Sequence, residues 1–363
     1  MNITLIAGAR PNFMKISPII KAIQAANKNG IDIHFRLVHT GQHYDNAMSG
    51  GFFEQLGIPA PDVNLECGGG SQAEQTAAIM VKFEKEMIAH KPDVVLVVGD
   101  VTSTMACTIT AKKLCIHVVH VEAGIRSGDM TMPEEINRMV TDSICDHFFT
   151  TSETAQRTLI DQQIDASRIH FVGNTMIDTL ISNLDNLRKP SFFETASIDN
   201  QKYFLLTLHR PSNVDDAEKL KSILDAIMKS TQPFPVIFPV HPRTKQILKN
   251  VQLDYENLIM IEPQGYLEFI YMVKHAKGII TDSGGITEEA TVLHVPCLTM
   301  RNSTERPETI TLGTNELIGD DLEILNSSLI KIMENNWRKG TIPPLWDGKT
   351  AERIVDILVE KYL

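Results

Sequence analysis

The stretch Lys277-Gly-Ile-Ile-Thr-Asp-Ser-Gly-Gly-Ile-Thr-Glu-Glu289 decides the fold. An apolar run enters a turn of small residues, and a helical pattern starts near Ile286. Strand, glycine turn and helix in that order form the repeating unit of a doubly wound α/β sheet. Small residues in such a turn leave backbone N–H groups bare to a phosphate, and the helix N-terminus adds favourable partial charge. One turn into the helix, Glu289 can reach back toward a neutral hydroxyl-bearing group such as a ribose. The stretch reads as a nucleotide-diphosphate site built on Ser283, Gly284 and Gly285, without the Gly-Lys-Ser/Thr ending of a P-loop. Taken alone, it reads equally well as a glycine turn after a buried strand.

Outward from it, short β-rich runs alternate with longer helical patterns along the whole chain. Strands are expected over residues 2–7, 32–39, 93–98, 117–121, 147–150 and 168–172, with helices such as 14–26, 74–90 and 103–114 between them. The run Val94-Val-Leu-Val-Val98 is wholly apolar, as in a strand covered by helices on both faces, so a mostly parallel sheet is expected. A second series follows a polar break over residues 189–202, with strands at 203–208, 235–239, 258–261, 278–281 and 297–300. Ile354, Val355, Ile357, Leu358 and Tyr362 then have the spacing of an amphipathic helix. The expected architecture is two Rossmann-like, doubly wound α/β domains, 1–172 and 173–348, facing a cleft, with a helix over 349–363 packing back across them.

Composition narrows the function. A chain of 363 residues, 43% hydrophobic and 22% charged, has the makeup of a soluble globular protein with two sizeable cores. Its net charge of −11 argues against binding nucleic acid or an anionic membrane through bulk electrostatics. The five cysteines (67, 107, 115, 145 and 297) are odd in number and form no Cys-x-x-Cys pair. They read as small buried hydrophobes in a reducing compartment, with no structural disulfide. The start, Met1-Asn-Ile-Thr-Leu-Ile-Ala7, is a strand rather than a signal peptide, and no apolar run reaches membrane-spanning length. A cytoplasmic location is expected.

The polar residues cluster at expected strand ends, where ligands of open α/β sheets sit. Arg10 and Lys15 flank the first helix start with Asn12 near its N-cap, an arrangement that suits an anion and equally suits a solvated helix end. Asp100 and Glu122 each close an apolar strand, and Glu134 follows Pro133 in a first helical turn. Singly, each has an innocent account as a cap or first-turn acid. Together they suggest three carboxylates on one rim, whose mutual repulsion would raise at least one pKa for general acid–base work. His209 and Arg210 follow the first strand of the second series, placed to contact a phosphate or serve a leaving group. His241 reads as structural. His39, His43, His117, His120 and His241 have no metal-ligand spacing, and the first strand lacks Gly-x-Gly-x-x-Gly, so neither a metal nor NAD is expected.

The motifs Gly8-Ala-Arg-Pro-Asn-Phe-Met-Lys15, Thr40-Gly-Gln-His43, Gly99-Asp100, His120-Val-Glu-Ala-Gly-Ile-Arg126 and Pro133-Glu-Glu-Ile-Asn-Arg138 occur in that order. Gly173-Asn-Thr175, His209-Arg210, Thr281-Asp-Ser-Gly-Gly285 and Thr304-Glu-Arg-Pro-Glu308 continue the series. With them the chain resembles the non-hydrolysing UDP-N-acetylglucosamine 2-epimerases over nearly its whole length. The resemblance implies a glycosyltransferase-B type fold with UDP held mainly by the second domain. It implies inversion at C2 of the sugar, without cofactor or metal, by elimination of UDP to a glycal and re-addition. By position, Asp100, Glu122 and Glu134 match the acid–base carboxylates and His209 the diphosphate contact. Ser283, Gly284 and Gly285 match the phosphate turn, Glu289 the ribose ligand, and Gln264 and Phe269 the uracil region. Arg10, Lys15 and Arg306 match cations around phosphate and sugar. A homodimer and a role in surface polysaccharide precursor synthesis are further expectations of the resemblance.

The sequence departs from the commonest pattern in two places. Pro211-Ser-Asn213 stands after His209-Arg210, where some bacterial members place an arginine of a second, activating UDP-sugar site, although Gln42 and His43 of that region are present. The segment between Asp129 and Pro133 is also shorter. The Ala9-Arg-Pro11 start and His39-Thr-Gly-Gln-His-Tyr44 run are similar to relatives acting on diacetamido uronic acid sugars. Beside UDP-GlcNAc, the readings are therefore UDP-2,3-diacetamidoglucuronate epimerisation, a hydrolysing epimerase, a glycosyltransferase and a non-catalytic UDP-sugar sensor. The hydrolysing type fits less well because its Gly-Thr-Arg-Ala-Asp start is absent.

Overall fold

The computed structural model describes residues 1–41, 55–249 and 251–363. The chain divides into one unit made of residues 1–182 and 344–363 and another made of residues 183–343.

The first unit carries seven strands: β1 Asn2–Ala7, β2 His34–His39, β3 Val63–Asn64, β4 Val94–Val98, β5 His117–Val121, β6 His147–Thr150 and β7 Ile169–Phe171. They lie in the order β3-β2-β1-β4-β5-β6-β7, each pair parallel, with Ile3 opposite Val94, Val98 opposite Val121 and Val121 opposite Phe149. All five residues of β4 are buried, as expected for a central parallel strand of β-branched residues covered on both faces. On one face Ile6, Val95, Val97, Val118 and Phe148 meet Ile79, Phe83 and Met87 of the helix Gln72–Ala89 and Ala106, Cys107 and Ala111 of the helix Thr102–Lys113.

The second unit carries six: β8 Phe204–Thr207, β9 Val236–Pro239, β10 Leu258–Ile261, β11 Gly278–Thr281, β12 Cys297–Thr299 and β13 Asn315–Leu317. Their order is β10-β9-β8-β11-β12-β13, again wholly parallel, with Thr281 opposite both Thr207 and Thr299. Strand alternation sorts the core into two layers. Phe204, Leu206, Phe238, Ile280 and Leu298 pack with Ile223, Leu224, Leu325 and Leu329. Tyr203, Leu205, Ile237, Ile279 and Cys297 face the opposite layer with Met272, Val273, Ile286 and Ala290.

The structure differs from the sequence expectations in several places. β3 and β13 are edge strands of two and three residues, too short to show periodicity. The polar break at 189–202 contributes to the core, because Phe193 is 1% exposed and stacks edge-on against Tyr203 at 5.3 Å. The first unit runs past residue 172: Thr179 Oγ1 donates to Met14 O at 2.6 Å, and the Asp178 carboxylate accepts from Thr350 N and Ala351 N at 3.2 and 2.7 Å. Asp178 thereby caps the helix Thr350–Tyr362, which buries Ile354, Val355 and Leu358 and packs against the helix Arg10–Lys28 of the same unit. The return to this unit begins by residue 344, and Trp346 is buried with its Nε1 donating to Thr151 O at 2.9 Å. All five cysteines are free and four are buried, but Cys115 is exposed at a left-handed turn, φ +56°. Among the described residues, no helix is long and apolar enough to cross a membrane, and no group of three or more His, Cys, Asp or Glu is arranged around a metal site.

Candidate active site

In both sheets the chain passes from one side to the other at an adjacent pair of strands, β1 with β4 and β8 with β11. Ligands of doubly wound sheets bind at such switch points, beyond the carboxyl ends of the strands. Gly8–Arg10 and Gly99–Asp100 occupy that position in the first unit, and His209–Arg210 and Asp282–Gly285 in the second.

The turn after β1 is held by Asn12, whose Oδ1 accepts from Gly8 N and Ala9 N at 3.0 and 2.9 Å and whose Nδ2 donates to Val98 O at 3.2 Å. Those N–H groups are therefore occupied by a side chain rather than left bare for an anion. A Cβ on Gly8 would lie 2.1 Å from Ser103 Oγ, so the turn requires glycine for close approach. Arg10 opens the helix, and burial lowers its pKa from the ordinary value. Lys15 is buried, and its Nζ stands 2.5 Å from Glu122 Oε2, so the expected phosphate cation is engaged by an expected catalytic carboxylate. Gly99 lies against this pair: at φ +66°, a Cβ there would be 2.9 Å from Lys15 Nζ and 3.6 Å from Glu122 Oε2. Glu122 itself has φ +72°, a conformation that costs a residue with a side chain of order 1 kcal/mol or more and that clusters at functional sites.

Asp100, half-buried, accepts from Arg138 Nε at 3.0 Å and Nη2 at 2.6 Å through Oδ2, while its carbonyl accepts from Asn137 Nδ2 at 2.8 Å. Arg138 also donates to Glu135 Oε2 at 2.7 Å, and Glu135 accepts from Ser127 N and Gly128 N at 2.9 and 3.0 Å. Burial opposes ionisation of Glu135, but these N–H groups and Arg138 hold its carboxyl below the usual range. Of the three expected rim carboxylates, Asp100 is thus paired with Arg138 and Glu122 with Lys15. Glu134 is half-buried at the start of the helix Pro133–Ile144, and its neighbour Glu135 is the acid that joins the Arg138 network. Gln42 and His43 lie outside the described residues.

In the second unit, the buried Asp282 is the hub that sequence reasoning left without a role. Its carboxylate accepts from His209 N at 3.0 Å, Arg210 N at 2.9 Å and Asn213 Nδ2 at 3.1 Å, and its Oδ1 stands 2.8 Å from His209 Nδ1. Burial would push this carboxyl up, yet the hydrogen bonds and charge of His209, with those of Arg210 and Asn213, hold it below the usual range. Because an ionised carboxylate only accepts, Nδ1 of His209 carries a proton, and Nε2 is the nitrogen left for a ligand. The ring is 44% exposed. The sequence signals for Asp282 were a carboxylate directly after an apolar strand and its place in the motif Thr281-Asp-Ser-Gly-Gly285.

Ser283 precedes the helix Gly284–Val292 without capping it through its side chain. A Cβ on Gly285 would meet no atom within 4 Å, and one on Gly284 would come no closer than 3.8 Å to Arg301 or Glu305. The protein's own packing does not require these glycines, and their lack of side chains leaves the helix N-terminus open to an anion. Arg301 and Glu305 form a buried bidentate pair at 2.8 and 2.7 Å, and despite burial Arg301 draws the Glu305 carboxyl down to about 2. Arg306 donates through Nε to the buried Glu288. Gln264 donates to Glu262 O at 2.8 Å, and Phe269 packs against the apolar cluster containing Ile286.

Burial, with Glu288 beside it and Tyr266 opposing, pushes Glu289 up to about 8. A folded pKa of about 8 above an ordinary 4.5 means that the folded state keeps its proton longer, so this group's contribution to stability falls as pH rises between those values. Glu289→Gln should therefore gain in melting temperature relative to the parent chain between pH 5 and pH 8. A gap that does not change with pH would show that Glu289 titrates as an exposed acid.

A family model described as UDP-N-acetylglucosamine 2-epimerase matches residues 24–359. A UDP-N-acetylglucosamine 2-epimerase of Methanocaldococcus jannaschii is 44% identical over 374 residues, covering 99% of both chains. The crystal structure of Methanocaldococcus jannaschii UDP-GlcNAc 2-epimerase in complex with UDP-GlcNAc and UDP matches with a TM-score of 0.87 at 42% identity, over 99% of this chain and 100% of that one. A UDP-2,3-diacetamido-2,3-dideoxy-D-glucuronate 2-epimerase of Pseudomonas aeruginosa is 40% identical over 322 residues, 88% of each protein. The two parallel sheets are those of the glycosyltransferase-B type expected from the motifs, and with matches of this extent the chain belongs to the UDP-N-acetylglucosamine 2-epimerase family.

Proposed function

We propose that this protein interconverts UDP-GlcNAc and UDP-ManNAc by the non-hydrolysing route, supplying precursors for surface polysaccharide. The observation that carries the reading is the open Ser283–Gly285 helix start beside the Asp282-anchored His209, in a chain matching along its length an enzyme crystallised with UDP-GlcNAc and UDP. In this mechanism a carboxylate removes the C2 proton, the C–H electron pair forms the C1–C2 double bond, and the C1–O bond breaks toward the diphosphate. UDP then re-adds at C1 while a proton is delivered to the other face of C2. Asp100, Glu122 and Glu134 are the acid–base candidates, because removal and delivery on opposite faces need more than one group. His209 stabilises the departing diphosphate through Nε2, and Ser283, Gly284 and Gly285 bind it at the helix start. Glu289 takes the ribose, Gln264 and Phe269 the uracil region, and Arg10, Lys15 and Arg306 bring positive charge to phosphate and sugar. We further place the enzyme in the cytoplasm as a homodimer.

Proton NMR with UDP-GlcNAc in D₂O tests the reading. Loss of the C2 proton signal with growth of UDP-ManNAc is the expected result, whereas free ManNAc with UDP would replace it by the hydrolysing reaction. The Pseudomonas aeruginosa relative gives a second reading, the same chemistry on UDP-2,3-diacetamidoglucuronate. Turnover of that sugar with an unchanged UDP-GlcNAc spectrum would establish it.

A further inference from the structure

The second unit also has a cavity at the opposite edge of its sheet from the Ser283–Gly285 turn. Its volume is about 630 Å³, and Lys277, Pro296 and Thr314 bring to it the amino ends of β11, β12 and β13. The Ser283 turn lies past the carboxyl end of β11, so the strand's own length, about 13 Å, separates the two places. Lys274, Lys277, Arg338 and Lys339 line the cavity, and no aspartate or glutamate does. This charge stands against the chain as a whole, in which 45 acidic residues outnumber 34 lysines and arginines. Other lysines of the unit meet carboxylates, as Lys219 does Asp320, Lys221 Asp225 and Lys245 Glu262. Among the described residues, Lys274, Arg338 and Lys339 form no ion pair. Lys277 donates through Nζ to the neutral Asn335 Oδ1 at 2.9 Å and lies 5.3 Å from the Phe234 ring, so no carboxylate balances its charge.

The helices Tyr266–His275, Gly284–Val292 and Leu322–Met333 end at this cavity, and helix C-termini attract cations. At about half a charge each, three helix ends offset only about one and a half of the four positive charges. Their last carbonyls are also met by the chain's own N–H groups. Ala276 N donates to Val273 O at 3.3 Å, Val295 N to Ala290 O at 2.9 Å and Asn336 N to Lys331 O at 2.8 Å. We propose that the cavity is a second anion site, taking small molecules that carry two or more phosphate groups. Its volume lies within the range of small-molecule sites. The planar guanidinium of Arg338 suits bidentate contact with phosphate, and the lysines add point charges. A singly charged anion would leave most of this charge unbalanced. The site does not depend on the epimerase reading, because none of its residues belongs to the turns at the carboxyl ends of the strands.

Trp337 gives the site its own reporter. It lines the cavity, half-buried, with Nε1 donating to Thr314 O at 2.8 Å, whereas Trp346, the other of the chain's two tryptophans, is buried in the first unit. The test is ¹H–¹⁵N NMR of the two indole N–H groups in the full chain during titration with inorganic pyrophosphate. Trp337→Phe assigns the signals by loss, and Trp346→Phe does so by elimination if the first variant does not fold. The Trp337 signal should move and saturate with a Kd at or below about 1 mM. Removing two charges in Arg338→Gln/Lys339→Gln, both exposed positions, should weaken this binding by at least about tenfold. A Trp337 signal that stays in place would overturn the proposal, as would an unchanged affinity in the double variant. So would a sulfate titration at matched ionic strength that moves the signal as far, since screening of surface charge would then account for the response.

Discussion

Asp100→Asn is expected to cut epimerase turnover by about 10²–10⁴-fold, the usual contribution of a general acid or base, with UDP affinity nearly unchanged. The geometry makes this a sharp substitution. Asparagine keeps the shape of the side chain, and its oxygen can still accept from Arg138, which stands 2.6 Å from Asp100 Oδ2. Arg138 remains anchored on Glu135, and the Asp100 carbonyl remains held by Asn137. What is lost is the ability to take up and release a proton at that position. Turnover measured by exchange of the C2 proton, with UDP titrated calorimetrically, separates the two effects. A variant with near-parental turnover would remove Asp100 from proton transfer and leave it as a partner of Arg138.

Lys15→Met should give the largest stability effect, a loss of about 3–5 kcal/mol in the first unit, together with loss of activity. Lys15 Nζ and Glu122 Oε2 are 2.5 Å apart, with side chains only 10% and 3% exposed. Removing the ammonium takes a counter-charge from Glu122, which is buried in a strained backbone conformation. Denaturant unfolding followed in the transition of the first unit checks this, since two units need not unfold together. Adding Glu122→Gln should recover part of the loss, the non-additivity expected of a directly coupled pair. A loss below about 1 kcal/mol at neutral pH would show that water screens the pair as it does at a surface.

The elements of the fold were legible because each depends on local pattern. The wholly apolar β4, the glycine turn after β11 and the amphipathic stretch that became the helix Thr350–Tyr362 all carry their reading within a few residues. The two-residue β3 had no pattern to read, and Phe193 gave no sign within its polar surroundings that it would be buried. Helix phase is likewise set by packing rather than by local pattern. Glu134 and Glu135 are equally suited to a first turn, but neighbouring helical positions point about 100° apart, and packing turned Glu135 toward Arg138.

From the amino-acid order alone came the alternation of strands and helices, the parallel sheets and the list of polar residues at strand ends. The partners of those residues came only from tertiary structure. Lys15 meets Glu122 across 107 residues, His209 meets Asp282 across 73, Asp100 meets Arg138 across 38, and His120 meets Asp142 across 22. Side-chain periodicity tells which face of a strand is buried, but strand order decides which strand ends become neighbours. That order is set by long-range packing of helices on the sheet, so the sequence by itself determined which groups reach the switch points, and the folded chain decided which of them bear charge together.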